Sequence, residues 1–155
     1  MNLNSGGIIL EGIPIPPSSN NQYKAFVRNN RIIHARSQDL LDFKKDFEKW
    51  AKANSGGIRM ARAMLEGSAV EVEAFIGFHR ERLFTKKDTF KRLDVSNRIK
   101  ALHDCLSDVL GIDDSAFFAI SAEKFVVEYP LPEQVIVRLS PFLAKSLKDV
   151  QSLPF

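Results

Sequence analysis

The chain has 155 residues, 45% of them hydrophobic, one cysteine and a formal net charge of +3. That length supports one core and excludes two comfortable domains. A lone Cys105 excludes a disulfide framework or a cysteine-rich metal site, and no apolar run approaches the ~20 residues of a membrane span. With no charged-then-apolar leader, a reducing, cytoplasmic setting without membrane insertion or secretion is expected, with the Cys105 thiol used in packing.

Residues 7–13 are apolar enough for a first strand, and Pro14, Pro16 and Pro17 bar its continuation as a central strand. Ser18 to Asn21 belong to the loop that follows. Residues 23–27 and 31–35 flank Asn29-Asn30 and read as a hairpin, because Asn tolerates the positive φ of tight hairpin turns. Ser37 is placed to cap a helix reaching about Asn54, with Leu40, Phe43, Phe47, Trp50 and Ala51 turned inward and Gly56-Gly57 as its stop. A short helical piece follows over residues 60–65. Residues 68–78 alternate, with Val70, Val72, Ala74, Ile76 and Phe78 on one face and Glu71, Glu73 and Phe75 on the other. Residues 117–129 and 134–139 read as closing strands joined at Pro130 to Pro132, and the tail 145–155 as a short helix or a frayed end. The expected fold is α+β and a single domain over residues 1–155. Its mixed sheet has about five strands, with antiparallel pairs from the hairpin and from the last two strands, and two main helices cover one face.

Residues 91–117, KRLDVSNRIKALHDCLSDVLGIDDSAF, carry the densest chemistry. Val95, Ile99, Leu102, Leu106 and Val109/Leu110 recur at helical spacing and form one apolar stripe at ~100° per residue. Asn97, Lys100 and Asp104 fall outside it, within a sector of roughly 60°. Asp94 opens this helix, and Gly111 with Asp113-Asp114 closes it. Carboxylates at helix ends, with a lysine and an amide between them, are what a hard cation and a phosphate need, because Mg²⁺ takes oxygen ligands and keeps much of its water. The same residues also suit structural work: Asp94 as an N-cap, Gly111 as the left-handed stop and Asp113-Asp114 as a solvated turn. Spacing alone leaves both readings open.

The segment resembles the core of the RusA family of Holliday junction resolvases, whose pattern runs D-x-D-N-x-x-K-x-x-x-D-x-L, a Gly-containing turn, D-D, and a strand carrying a lysine. Asp94 falls on the first acid, Asn97 on the amide, Lys100 on the lysine and Asp104 on the following acid. Asp113-Asp114 match the paired acids, and Lys124 lies where the family has its strand lysine. Near the other end, Pro16-Pro17-Ser18-Ser19-Asn20 resembles the family's early P-P-S-x-N signature, so the resemblance covers roughly Ile13 to Leu139. It implies a homodimeric, Mg²⁺-dependent endonuclease making paired nicks in four-way DNA junctions. Asp94, Asp113 and Asp114 would hold metal, Lys100 would act in catalysis, and Asn97 and Asp104 would support them. One departure stands out: Ser96 occupies the place of the family's second aspartate. A serine hydroxyl can hold a metal or its water weakly but brings no charge, so a junction binder that does not cleave, or a relative acting on another phosphodiester, stays open beside the nuclease.

Leading into this segment, between residues 80 and 92, Arg80, Arg82, Lys86, Lys87, Lys91 and Arg92 stand against only Glu81 and Asp88, with Phe84 and Phe90 interleaved. A charge run is often a solvated loop, but beside metal ligands it suits phosphate-backbone contact, as does Lys124. The two phenylalanines could stack on unpaired bases, although anchoring the loop to the core is the simpler role. His34, His79 and His103 lack the spacing of a zinc helix and are expected at the surface or in packing. Glu71 or Glu73 could replace the missing aspartate if their strand face reaches the site.

Overall fold

The computed structural model describes residues 6–143 and 146–152. Strand β1 (Ile8–Ile13) sends Leu10 and Ile13 into the core and ends at the proline run, as a segment without backbone donors must. A 3-10 turn at Ser19–Asn21 leads into the hairpin of β2 (Tyr23–Arg28) and β3 (Arg31–Arg36). Asn29 and Asn30 at its tip have φ of 51° and 56°, the pair that gives a two-residue turn the twist of its strands. The hairpin pairs with itself alone, leaving Phe26, Val27 and Ile32 exposed.

Ser37 caps α1 (Gln38–Ala53), its Oγ accepting the Leu40 N–H at 3.2 Å. Leu40, Phe43, Phe47 and Trp50 are buried as the 3.6-residue period demands, and the Trp50 indole donates to the Glu11 carbonyl at 2.8 Å. The expected glycine stop does not exist. Asn54 makes the break, its backbone N–H and side-chain amide both donating to the Trp50 carbonyl. Gly56 and Gly57 lie inside the first turn of α2 (Ser55–Leu65), which buries Ile58, Ala61 and Leu65. A Cβ on Gly57 would approach Leu10 Cδ2 to 3.3 Å, so this glycine serves close approach to β1 rather than termination.

The chain then runs through β4 (Ala69–His79), the single turn α3 (Arg80–Leu83), α4 (Ser96–Leu110) and β5 (Phe117–Val127). Strands β4 and β5 are parallel, which requires a crossover, and α4 supplies it. Strand β6 (Gln134–Phe142) lies between β1 and β4, antiparallel to both, giving the order β1-β6-β4-β5. The closing strands therefore do not pair with each other as expected. Val70, Val72, Ala74, Ile76 and Phe78 bury a whole face of β4, so β4 takes the interior position and both later strands align on it. The mixed sheet has four strands and the hairpin is a separate two-stranded sheet.

Helices α1, α2 and α4 share one core with the sheet. On α4 the expected stripe is realised through buried Leu102, Leu106 and Leu110, while Val95, Ile99 and Val109 are partly buried; Gly111, at φ 62°, is the left-handed cap. Past the sheet, α5 (Leu147–Gln151) is opened by a capping box between Ser146 and Asp149. The rest of the tail reading falls partly on residues 144–145 and 153–155, outside the described residues.

Candidate metal and nucleic-acid site

The start of α4 is built around Asp94. Its Oδ1 accepts the Ser96 backbone N–H at 3.0 Å and the Ser96 hydroxyl at 2.7 Å, and its Oδ2 accepts the Asn97 amide at 3.1 Å. These bonds satisfy a backbone donor that the helix leaves free, so Asp94 does capping work one residue before Val95. The Ser96 bonds also hold the Asp94 carboxyl below the usual carboxylate range, which keeps it charged. Capping and ion binding thus draw on the same charged group.

From Ser96 the helix carries two further polar residues one turn apart. Ser96, Lys100, His103, Asp104 and Asp114 line one open cleft of about 450 Å³. Asp94 lines a second, of about 670 Å³, with Ser18, Asn20, Asn97 and three arginines, Arg82, Arg92 and Arg98. Ser96 connects the two, bonding Asp94 on one side and facing the Asp114 cleft on the other. Asp113 lines neither. Its Oδ1 accepts the Ser115 N–H at 2.9 Å and caps the 3-10 turn Asp114–Ala116, and its bonds from Ser115 lower its pKa. Lys124 on β5 reaches back to donate to the Leu93 carbonyl at 3.2 Å, and its charge also favours ionised Asp94.

The two separated motifs meet here. Arg98 Nη1 donates to the Pro16 carbonyl at 2.7 Å, and buried Gln22 spans the Pro17 carbonyl at 3.0 Å and the Asn97 carbonyl at 3.5 Å. The proline-rich loop is therefore clamped onto the first turn of α4.

The donors at this site are carboxylate and hydroxyl oxygens, the set a hard divalent cation takes. Among the described residues no three acidic, histidine or cysteine side chains gather closely enough to enclose an ion. The residues present fit a cation that keeps most of its ligands as water, which is the habit of Mg²⁺.

The expected basic residues divide into two groups. Arg80 pairs with Asp88 at 2.8 Å, Arg82 with Glu133 at 2.7 Å, and Lys91 Nζ donates to the Glu81 carbonyl at 2.6 Å. Lys86, Lys87 and Arg92 are exposed, with no side-chain partner among the described residues. Phe84 packs partly into the core, whereas Phe90 is 85% exposed and touches Phe84 at 5.7 Å between ring centroids, so only one of the two anchors the loop.

Elsewhere Glu73 is ion-paired to Arg138, its cross-strand neighbour on β6, and lines neither cleft. Glu71 likewise lies outside both. His34 is exposed, and His79 stacks on Tyr129 at 3.9 Å. His103 is buried edge-on to Phe117, and burial lowers its pKa, favouring the neutral ring.

Sequence reasoning missed Arg98, Gln22 and the reach of His103 into the Asp114 cleft. One signal was available for Arg98: a cation in the first turn of a helix opposes the macrodipole, so its presence there asks for a reason.

No helix among the described residues is long and apolar enough to cross a membrane. No curated protein matches the chain. A family model described as endodeoxyribonuclease RusA matches residues 14–139, a span that begins at the proline-rich loop, contains both clefts and ends on β6. The chain belongs to the RusA family of endodeoxyribonucleases, whose activity is that of a Holliday junction resolvase.

Proposed function

We propose that this protein is a Mg²⁺-dependent endonuclease that resolves four-way DNA junctions by paired nicks, working as a homodimer in the cytoplasm. The observation that carries the reading is Ser96, which bonds the Asp94 carboxylate and also faces the cleft of Lys100, Asp104 and Asp114. Asp94 and Asp114 would hold the ion, with the Ser96 hydroxyl between them and Asp113 positioning the turn that carries Asp114. When bound, Mg²⁺ polarises the scissile phosphate and lowers the pKa of its water.

The chain's own groups supply the rest. Lys100 faces the cleft and neutralises charge on the phosphate as it develops. Asp104, one turn further along α4, lines the same cleft and would support Lys100 there. Asn97 fixes the Asp94 carboxylate through its amide. Lys86, Lys87 and Arg92 hold backbone phosphates without regard to sequence, with Arg80, Arg82, Lys91 and Lys124 behind them. Two cuts on a two-fold branched substrate call for two sites related by a two-fold axis, which supports a dimer.

A second reading has its own observation. The Asp94 oxygens are occupied by Ser96 and Asn97, and Ser96 adds no charge, as in a junction binder whose metal site has decayed. Nicking of a labelled four-way junction with and without Mg²⁺, beside a linear duplex, separates these readings. The nuclease reading predicts cuts in two opposing strands of the junction only when Mg²⁺ is present. Tight binding without cuts would leave the binder, and equal cutting of the linear duplex would point to another phosphodiester substrate.

A further inference from the structure

Arg98 occupies the third residue of α4, where its charge opposes the positive end of the helix dipole. Its Nε is buried with no hydrogen-bond partner among the described residues, and its guanidinium lies 5.5 Å from the centre of the Phe78 ring. Arg82 lies 4.9 Å from the centre of the same ring, so two cations crowd one aromatic. Arg82 is neutralised by Glu133, but Arg98 forms no ion pair among the described residues. Its one hydrogen bond among the described residues, Nη1 to the Pro16 carbonyl, uses a neutral acceptor.

The Glu133 carboxylate favours the Arg98 charge only from beyond ion-pair distance and is already held by Arg82, so this half-buried guanidinium forfeits solvation and gains little in return. Arg98 and Arg82 line two open clefts: in one they share the walls with Asp39, Asp42 and Asp46 of α1, and in the other Arg82, Arg92 and Arg98 meet the single carboxylate of Asp94, with polar Ser18, Asn20 and Asn97 on the remaining walls. The second surface takes an anion. The planar guanidinium fork suits a tetrahedral oxyanion with two oxygens presented side by side, which is the shape of a phosphate.

We propose that Arg98, with Arg82 and Arg92, forms a pocket for a backbone phosphate of the bound strand, next to the phosphate that is cut. This rests on the DNA reading above and adds a binding residue to it. The pocket explains why the proline-rich loop is clamped to α4: Ser18 and Asn20 become the wall that closes over the phosphate. It also makes a distinction within the basic surface. The exposed lysines supply attraction at any position along the backbone, whereas the Arg98 pocket fixes the register of the strand against Asp94.

The test uses the full chain and the variants Arg98→Leu, Arg98→Gln and Arg98→Lys. Binding of a labelled four-way junction is measured without divalent cation across a salt series, and thermal stability is measured with and without millimolar inorganic phosphate. Arg98→Leu and Arg98→Gln should bind the junction roughly ten- to a hundredfold more weakly, the loss of one charge-assisted contact. Their salt slope should fall by up to ~0.9. Arg98→Lys should keep the slope and recover part of the affinity. Inorganic phosphate should raise the melting temperature of the wild type and not of the Leu or Gln variant.

A structural clamp to Pro16 would instead lower melting temperature in the variants while leaving junction affinity and slope at wild-type values. That result overturns the pocket. If the wild-type protein itself ignores junctions, the DNA reading fails on its own, and phosphate protection through Arg98 still reports on the pocket as an oxyanion site.

Discussion

At the scale of single residues, Ser96 decides how the site is to be understood. Its hydroxyl donates to Asp94 and steadies that carboxylate at the start of α4. An aspartate there would have no proton to give and would face Asp94 with like charge, a repulsion that a divalent ion relieves. Ser96→Asp is therefore expected to lower the melting temperature in EDTA, to gain more stability from Mg²⁺ than the wild type does, and to nick at lower Mg²⁺ concentration. Paired melting curves and a metal titration at fixed ionic strength read both effects. Equal stabilisation of the two proteins by Mg²⁺ would place Ser96 away from the ion.

At the scale of elements, what could be read from the sequence was what repeats locally. The period-two face of β4, the capped amphipathic α1 and the stripe of α4 each follow from their own residues. Pairing order does not. Nothing within residues 134–142 says that β6 must lie between β1 and β4, because that choice is made by burial against strands far away in sequence. The Gly56-Gly57 pair misled for a related reason: read alone it is a breaker, but Gly57 answers to Leu10 on β1. The cap at Asp94 and the paired acids were visible as a motif, whereas the Arg98 pocket depends on Phe78, Arg82 and the proline loop converging from three distant segments.

Two glycine substitutions test these assignments. Gly56→Ala puts its Cβ into open space within α2 and should stabilise by roughly 0.5–1 kcal/mol. Gly77 lies opposite Phe125 in the parallel ladder, and a Cβ there would come within 2.5 Å of Val127 Cγ2 and 2.6 Å of Phe125 Cζ. Gly77→Ala should destabilise by about 1–3 kcal/mol through overpacking. Urea unfolding of both variants checks the pair, and a destabilising Gly56→Ala would restore the glycine as a helix stop.

At the scale of the whole molecule, the net charge of +3 understates the surface a nucleic acid would meet. Lys24, Arg28, Arg31 and Arg36 on the hairpin have no acid among them between Glu11 and Asp39, and Lys86, Lys87 and Arg92 are unpaired among the described residues. Acids elsewhere offset these charges in the sum but not in place. The triple change of Lys86, Lys87 and Arg92 to Ala should weaken binding to all junction sequences alike. It should also flatten log affinity against log salt by up to ~0.9 for each lost phosphate contact. An unchanged slope would make this loop a solvated face and remove Arg92 from the phosphate pocket, with binding left to the hairpin, Arg82 and Arg98.

The central claim, that the acids at the two ends of α4 hold the catalytic ion, is tested most directly by Asp114→Asn. Nicking and binding of one four-way junction are measured on the same preparation in Mg²⁺. Removing the charge while keeping the shape should abolish cleavage and leave junction affinity near the wild-type value, because the basic surface is untouched. Cleavage at the wild-type rate would contradict the claim.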